Sequence, residues 1–300
     1  MIKVADICPL FFDPVKDKFS KDIDYVQKFH SSDKILVQVL ADDGETVNAI
    51  LHDLPAGKAE NVPFSSYEVN ERATMYYFVL KGLEDSIYDM ALTFMKGGKY
   101  ETHTSERFII SSSIDLFMDT MLMKFSHKDN NSPFDNIFWI GDEQQVINLR
   151  LEAGFKPSGI SMKVSNEQFR NQFQEIIELY SIPYKTMSLD CGDASGMPYW
   201  FAEFLNKALC LSKVEMNGKG YVRSEGNVPE MSQVDEYGQV FNFSILLEPS
   251  ENDISGIGGR PEEASGSSMV GFLIENPRDG EMLQYDGEKS AFRNVNNVGI

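Results

Sequence analysis

Short apolar runs separated by turn residues fill the first third of the chain. Ile35-Leu36-Val37-Gln38-Val39-Leu40 has the length and β-branched content of a strand. Asp42-Asp43-Gly44 then offers the positive-φ positions of a tight hairpin, and Thr46–Leu51 returns as its partner. Residues 53–66, with Pro55, Gly57 and Pro63, read as loop. Thr74–Leu80 is strongly apolar, Lys81–Asp85 turns it, Ser86–Met95 returns, and Arg107–Ile110 ends the unit. Residues 1–30 read as an irregular lead-in. Strands this short, with turns at this spacing, predict a β-sandwich over residues 1–112.

The pattern restarts near residue 113. Thr120–Ser126, Asn136–Ile140 and Gln145–Leu151 read as strands. Ser165-Asn166-Glu167-Gln168 has the form of a helix-opening capping box, and Phe169, Phe173, Ile176 and Ile177 follow at helical spacing. Ile177–Leu189 also alternates as a long strand broken at Pro183, so this stretch fits either element. Met197–Leu211 reads as the clearest helix, with Pro198 in its first turn and one apolar face formed by Trp200, Phe201, Phe204, Leu205, Ala208 and Leu209. Lys213–Met216 and Gly220–Arg223 form a hairpin around Asn217-Gly218, and Gln239–Leu247 closes a second domain, 113–250. The expected fold class is therefore mainly β, of β-sandwich type, with one or two packed helices in the second domain and an extended C-terminal tail.

That tail, 251–300, begins as linker: residues 251–268 hold Gly256, Gly258, Gly259, Gly266, four serines and Pro261. The apolar residues beyond it are too few to form a core alone. Met282, Leu283, Gln284, Tyr285 and Phe292 are therefore expected to dock on a partner, with a short strand at 281–285 adding to a neighbour's sheet edge.

Charge narrows the function. Lys plus Arg number 27 against 46 Asp plus Glu in 300 residues, a net charge of −19. Such a surface repels phosphate backbones and anionic lipids, which argues against DNA or membrane partners. No apolar run approaches the roughly 20 residues of a spanning helix. The first residues lack a signal-peptide core, which leads to the expectation of synthesis in a cytoplasm without secretion. Cys8, Cys191 and Cys210 are odd in number and widely spaced, so they read as thiols, with Cys210 a small buried hydrophobe on or beside the helix face.

Catalytic chemistry finds little purchase. Cys191-Gly192-Asp193-Ala194-Ser195-Gly196-Met197-Pro198 resembles the nucleophile loop of trypsin-like proteases, but Ala194 breaks the oxyanion register. None of His30, His52, His103 and His127 has the context of the base. The segment reads better as a Gly-rich turn into the helix. The histidines have no metal spacing, Asp42-Asp43-Gly44 lacks the remaining ligands of a calcium loop, and no Gly-rich phosphate loop occurs. The expectation is no catalytic residue, no metal and no cofactor.

Residues 105–250 carry a resemblance. Ser126-His127, Gly154-Phe155-Lys156-Pro157-Ser158, Ile182–Leu189, Gly196-Met197-Pro198-Tyr199-Trp200, Leu205-Asn206-Lys207 and Tyr221–Gly226 occur in an order that resembles tail proteins of phages and prophages of Bacteroides and relatives, including the crAss-like podoviruses. The layout is similar to tail-hub or distal-tail ring components. Pro277–Phe292 resembles the Asp-Gly-x-Val-Leu-x-Tyr-Asp repeat of phage tail-fibre and collar proteins, with Phe292 where that pattern has Trp. The resemblance implies a virion structural protein in the tail, made in the bacterial host cytoplasm. Its partners would be other copies of itself and neighbouring tail, ring or fibre proteins, with DNA only as cargo passing through a channel. The alternatives are a carbohydrate-binding β-sandwich module and a tail-associated glycan hydrolase.

Overall fold

The computed structural model describes residues 3–12, 25–42, 44–96, 98–192, 196–234, 240–250, 272–273, 282–286 and 291–295. The chain divides into two compact units, Met1–Glu251 and Asn252–Ile300. Among the described residues strands make up 61% and helices 7%, so the fold is mainly β as the pattern predicts.

The first unit opens with β1 (Lys3–Val4), β2 (Gln27–His30), β3 (Ile35–Asp42), β4 (Thr46–Asp53), β5 (Lys58–Val62), β6 (Ser65–Asn70), β7 (Ala73–Leu80), β8 (Ser86–Lys96), β9 (Lys99–Thr104) and β10 (Phe108–Ser111). One sheet has the order β1-β3-β7-β6, the other β2-β10-β8-β4-β5 with β9 also on β8. Every pairing is antiparallel except β2 on β10.

Two expected hairpins are sheet switches. The turn at Asp42–Glu45 is tight: the Glu45 amide donates to the Asp42 carbonyl at 3.1 Å, and Gly44 has φ +76°. Yet β3 lies in one sheet and β4 in the other, as do β7 and β8. The turn chemistry reverses the chain, while burial decides which sheet the next strand joins. Residues 53–66, expected as loop, contain β5 and the start of β6. Both are nearly all exposed and polar, so they carry no apolar alternation to read. The lead-in is likewise not wholly irregular, because β1 and β2 join the two sheets.

The chain continues through α1 (Ile114–Asp119), β11 (Met121–Ser126), β12 (Trp139–Ile140), β13 (Glu143–Gln144), β14 (Ile147–Leu151), β15 (Ala153–Arg170), β16 (Ile176–Cys191), β17 (Met197–Pro198), α2 (Trp200–Ala208), β18 (Lys213–Met216), β19 (Lys219–Arg223), β20 (Glu230–Gln233) and β21 (Val240–Pro249). The main sheet runs β14-β11-β18-β19-β21-β16-β15, with β17 and β20 also on β21. The helix expected over 197–211 is shorter. Met197 and Pro198 pair with Phe241 and Val240 as an edge, where the missing proline N–H costs nothing. Helix α2 buries Trp200, Phe201, Ala202, Phe204, Leu205 and Ala208. Cys210 is exposed, contrary to expectation, because α2 ends before it; its thiol donates to the Asn206 carbonyl at 3.2 Å.

Among the described residues no sheet spans both halves of the first unit, but the core does. Phe11 and Tyr25 of the lead-in pack on Phe201 of α2 at 4.7 and 5.2 Å between ring centres. Asn136 and Gln38 form a buried lattice. Asn136 accepts from the Ile7 amide at 2.9 Å, and Gln38 donates to the Ile137 carbonyl at 2.7 Å. Each amide group bonded across the joint satisfies a backbone group that burial would otherwise penalise.

The second unit contains β22 (Phe272–Leu273), β23 (Met282–Asp286) and β24 (Ala291–Val295), in the order β22-β24-β23. The linker segment 251–268 lies outside the described residues.

Candidate assembly surface

The capping box at Ser165–Gln168 opens no helix. Ser165 and Gln168 lie within β15, opposite Ile182 and Glu178 of β16. The alternating reading of Ile177–Leu189 is the one realised, and it runs through Pro183 unbroken. Phe169, Phe173, Ile176 and Ile177 keep helical spacing in the sequence, but the chain reverses between Arg170 and Ile176 and sets Phe169 opposite Ile177. Asn171 builds that reversal: its side-chain oxygen accepts from the Phe173 and Glu175 amides at 2.9 and 3.0 Å, and its backbone N–H donates to the Glu175 carbonyl at 3.0 Å. Gln174 takes φ +65° at the tip.

The product is a projecting ribbon. At its base β16 pairs with β21 from Met187 to Cys191, and Phe155 stacks on Tyr221 at 4.9 Å. From Ile176 to Thr186, β16 pairs with β15 alone. At ~3.3 Å per residue, Ile160–Arg170 reaches about 33 Å beyond that support. A two-stranded ribbon is marginally stable in water by itself.

This ribbon carries large apolar side chains in the open. Met162 is 78% exposed, Phe173 84% and Phe169 55%, and Val164, Ile176, Ile177, Leu179, Tyr180 and Ile182 are exposed too. The register sorts them by face, since residues two apart share a face and cross-strand partners lie side by side. Ile160, Met162 and Val164, paired with Met187, Lys185 and Pro183, form a patch near the base on one face. Phe169 with Ile177, then Tyr180 and Ile182, form a patch toward the tip on the other. A register shift between Glu167 and Gln168 leaves Leu179 unpaired, which keeps Ile177 on the face of Tyr180 although three residues separate them. The polar positions complement this: Ser161 and Lys163 back the base patch, and Gln168 and Glu178 back the tip patch.

Charge also sets the arm apart. Residues 156–190 hold four cations (Lys156, Lys163, Arg170, Lys185) and four anions (Glu167, Glu175, Glu178, Asp190). The net −19 of the chain therefore resides elsewhere.

At the arm's root the chain bulges, with residues 156–159 set against Ser188. Lys156 pairs with Asp190 at 3.5 Å. A hollow of about 940 Å³ lies alongside, lined by Lys28, Leu116, Glu152, Phe155, Lys156 and Asn242. The side-chain oxygen of Asn242 is buried without a partner among the described residues. Leu116 belongs to α1, in which no residue is buried and Ile114, Phe117 and Met118 are exposed. Phe117 also lines a second hollow, of about 470 Å³. The helix is thus an apolar ridge on the body, and its bareness was not legible because six residues show no period.

The residues expected to dock lie on the second unit. Met282, Leu283, Gln284 and Tyr285 form β23, and Phe292 lies on β24. The strand at 281–285 is realised as Met282–Asp286, but β24 already occupies one of its edges, with Tyr285 directly opposite Phe292. Asp193, Ala194 and Ser195 lie outside the described residues. Beside them, burial pushes the Cys191 thiol up to about 12, helped by Asp190, and burial does the same to Cys8. Among the described residues no group of three or more His, Cys, Asp or Glu is placed to hold a metal ion. No helix among them is long and apolar enough to cross a membrane.

No family model matches the chain, and no curated protein matches it.

Proposed function

We propose that this chain is a non-enzymatic virion structural protein, a subunit of a ring in a phage tail or tail hub that interlocks with copies of itself and docks neighbouring tail or fibre proteins. The observation that carries this reading is the β15–β16 arm. It holds exposed apolar residues far from the body on a ribbon that gains stability when covered. A contact between a projecting arm and a different surface of the next copy is head-to-tail, and such contacts close into rings when the rotation fits. An acidic body suits a ring around a DNA channel, because it repels the passing polymer and keeps it from sticking. The resemblance of residues 105–250 to phage tail proteins supports the same reading.

Mass photometry and electron microscopy of the purified full chain test it. Closed rings are expected, and replacing residues 161–186 by Asn-Gly is expected to leave folded monomers. A full chain that stays monomeric at every concentration and within assembled particles overturns the reading. Exposed Phe169, Phe173 and Tyr180 favour one rival, a carbohydrate-binding module, since aromatic faces stack on sugars. Glycan-array binding by a persistently monomeric chain would decide for it.

A further inference from the structure

We infer that each arm is clamped between two other copies of this chain, its base patch against one and its tip patch against another. This rests on the self-assembly reading above and goes further, because a single flat contact needs only one apolar face. The arm has two, on opposite sides and at different distances from the body. Ile160, Met162 and Val164 look one way, while Phe169, Ile177, Tyr180 and Ile182 look the other. Covering only one side leaves the other set in water on a ribbon with no sheet behind it.

Charge points to copies of this chain as the occupants. An arm of balanced charge approaches a body that carries −15 of the net −19, residues 252–300 holding the other −4, without like-charge repulsion. The body also supplies a complementary surface. Helix α1 presents Ile114, Phe117 and Met118, with Met118 74% exposed and no residue buried. A head-to-tail contact needs two different complementary surfaces on one chain, and the arm and the α1 ridge are such a pair.

Thiol protection tests this. In a Cys210→Ser background the remaining thiols, Cys8 and Cys191, are buried. Single cysteines are then placed by Met162→Cys on the base face and by Ile182→Cys on the tip face. Each variant is mixed with excess Cys210→Ser chain, so that it is carried into assemblies even if it weakens them. The rate of N-ethylmaleimide labelling is compared between dilute monomer and purified assembly. Both cysteines are expected to label more slowly by about tenfold or more in the assembly, as water is excluded from interface cores. Protection of only one position overturns the clamp while leaving self-assembly intact. Protection of neither shows assembly through another surface and also overturns it. A mixture that forms no assembly removes both the clamp and the proposed function.

Discussion

Arg150 and Asp33 meet in a two-pronged ion pair that joins the halves of the first unit: Nε lies 2.7 Å from Oδ2 and Nη2 lies 2.8 Å from Oδ1. Both side chains are 2% exposed, although 117 residues separate them. The pair is well satisfied. Asp33 also accepts from the His30 amide at 2.8 Å, Arg150 donates to Thr120 at 3.2 Å, and its guanidinium lies 5.3 Å from the Phe117 ring centre. Removing one member strands a buried charge. Asp33→Ala or Arg150→Ala is therefore expected to cost about 3–5 kcal/mol in urea unfolding. The double variant should cost less than the two single losses combined. Additive losses would show that the two groups do not act as a unit.

Gly159 sets the root of the arm. A Cβ there would fall 2.5 Å from the Ser188 Cβ, closer than real contacts allow. Gly159→Ala is expected to displace the ribbon and cost about 1–3 kcal/mol. Ring yield should fall with it. Ser188→Gly in the same chain removes the colliding atom and should restore both stability and assembly. Failure of that rescue would place the constraint in the backbone instead.

The buried thiols set an alkaline limit. Cys8 and Cys191 have folded-state values of about 12 against an ordinary 9.0, mainly through burial. Above 9.0 the unfolded chain loses these protons first, so the folded state binds more of them and stability falls as pH rises toward 12. Cys8→Ala and Cys191→Ala should each flatten that decline in unfolding measured from pH 8 to 11. At pH 8 the native chain should yield one rapidly labelled thiol, Cys210. Neither Cys191→Ala nor Ser195→Ala should impair assembly beyond packing costs. Labelling of Ser195 by a serine-hydrolase probe would contradict the non-enzymatic reading.

The C-terminal unit is expected to serve attachment rather than folding of the rest. Deleting residues 252–300 should leave the melting temperature of the remainder nearly unchanged, since the first unit is compact without them. It should abolish recruitment of the adjoining ring or fibre. Tyr285→Ala with Phe292→Ala removes two register partners and should reproduce much of that loss. Complete tails built from truncated subunits would refute the docking role.

How far the chain could be read in advance depends on burial. Strands β3 and β7 were legible because apolar residues run through them, and the Asn217-Gly218 turn because φ values of +48° and +79° demand such residues. Strands β5 and β6 were not, since neither face of them is buried. The Asp42–Gly44 turn announced a reversal but could not say that β4 would join another sheet. The arm was half legible. Alternation over Ile177–Leu189 marked one strand, while Ser165–Gln168 imitated a helix start. A helical stripe needs a core to cover it, and no core reaches this far from the body, so cross-strand pairing wins. That β23 folds back on β24 was legible in Asp286-Gly287, which offers the turn of a lone β-hairpin as the alternative to a docking strand.

The charge balance of residues 156–190 has a consequence for how assembly responds to salt. Copies of the body repel one another through their acidic surfaces, and that repulsion weakens as the screening length shrinks, to about 8 Å at physiological ionic strength. Burial of the arm's apolar patches has no comparable electrostatic contribution to lose. Added sodium chloride should therefore tighten self-association, the reverse of what a complex held by opposite charges would do.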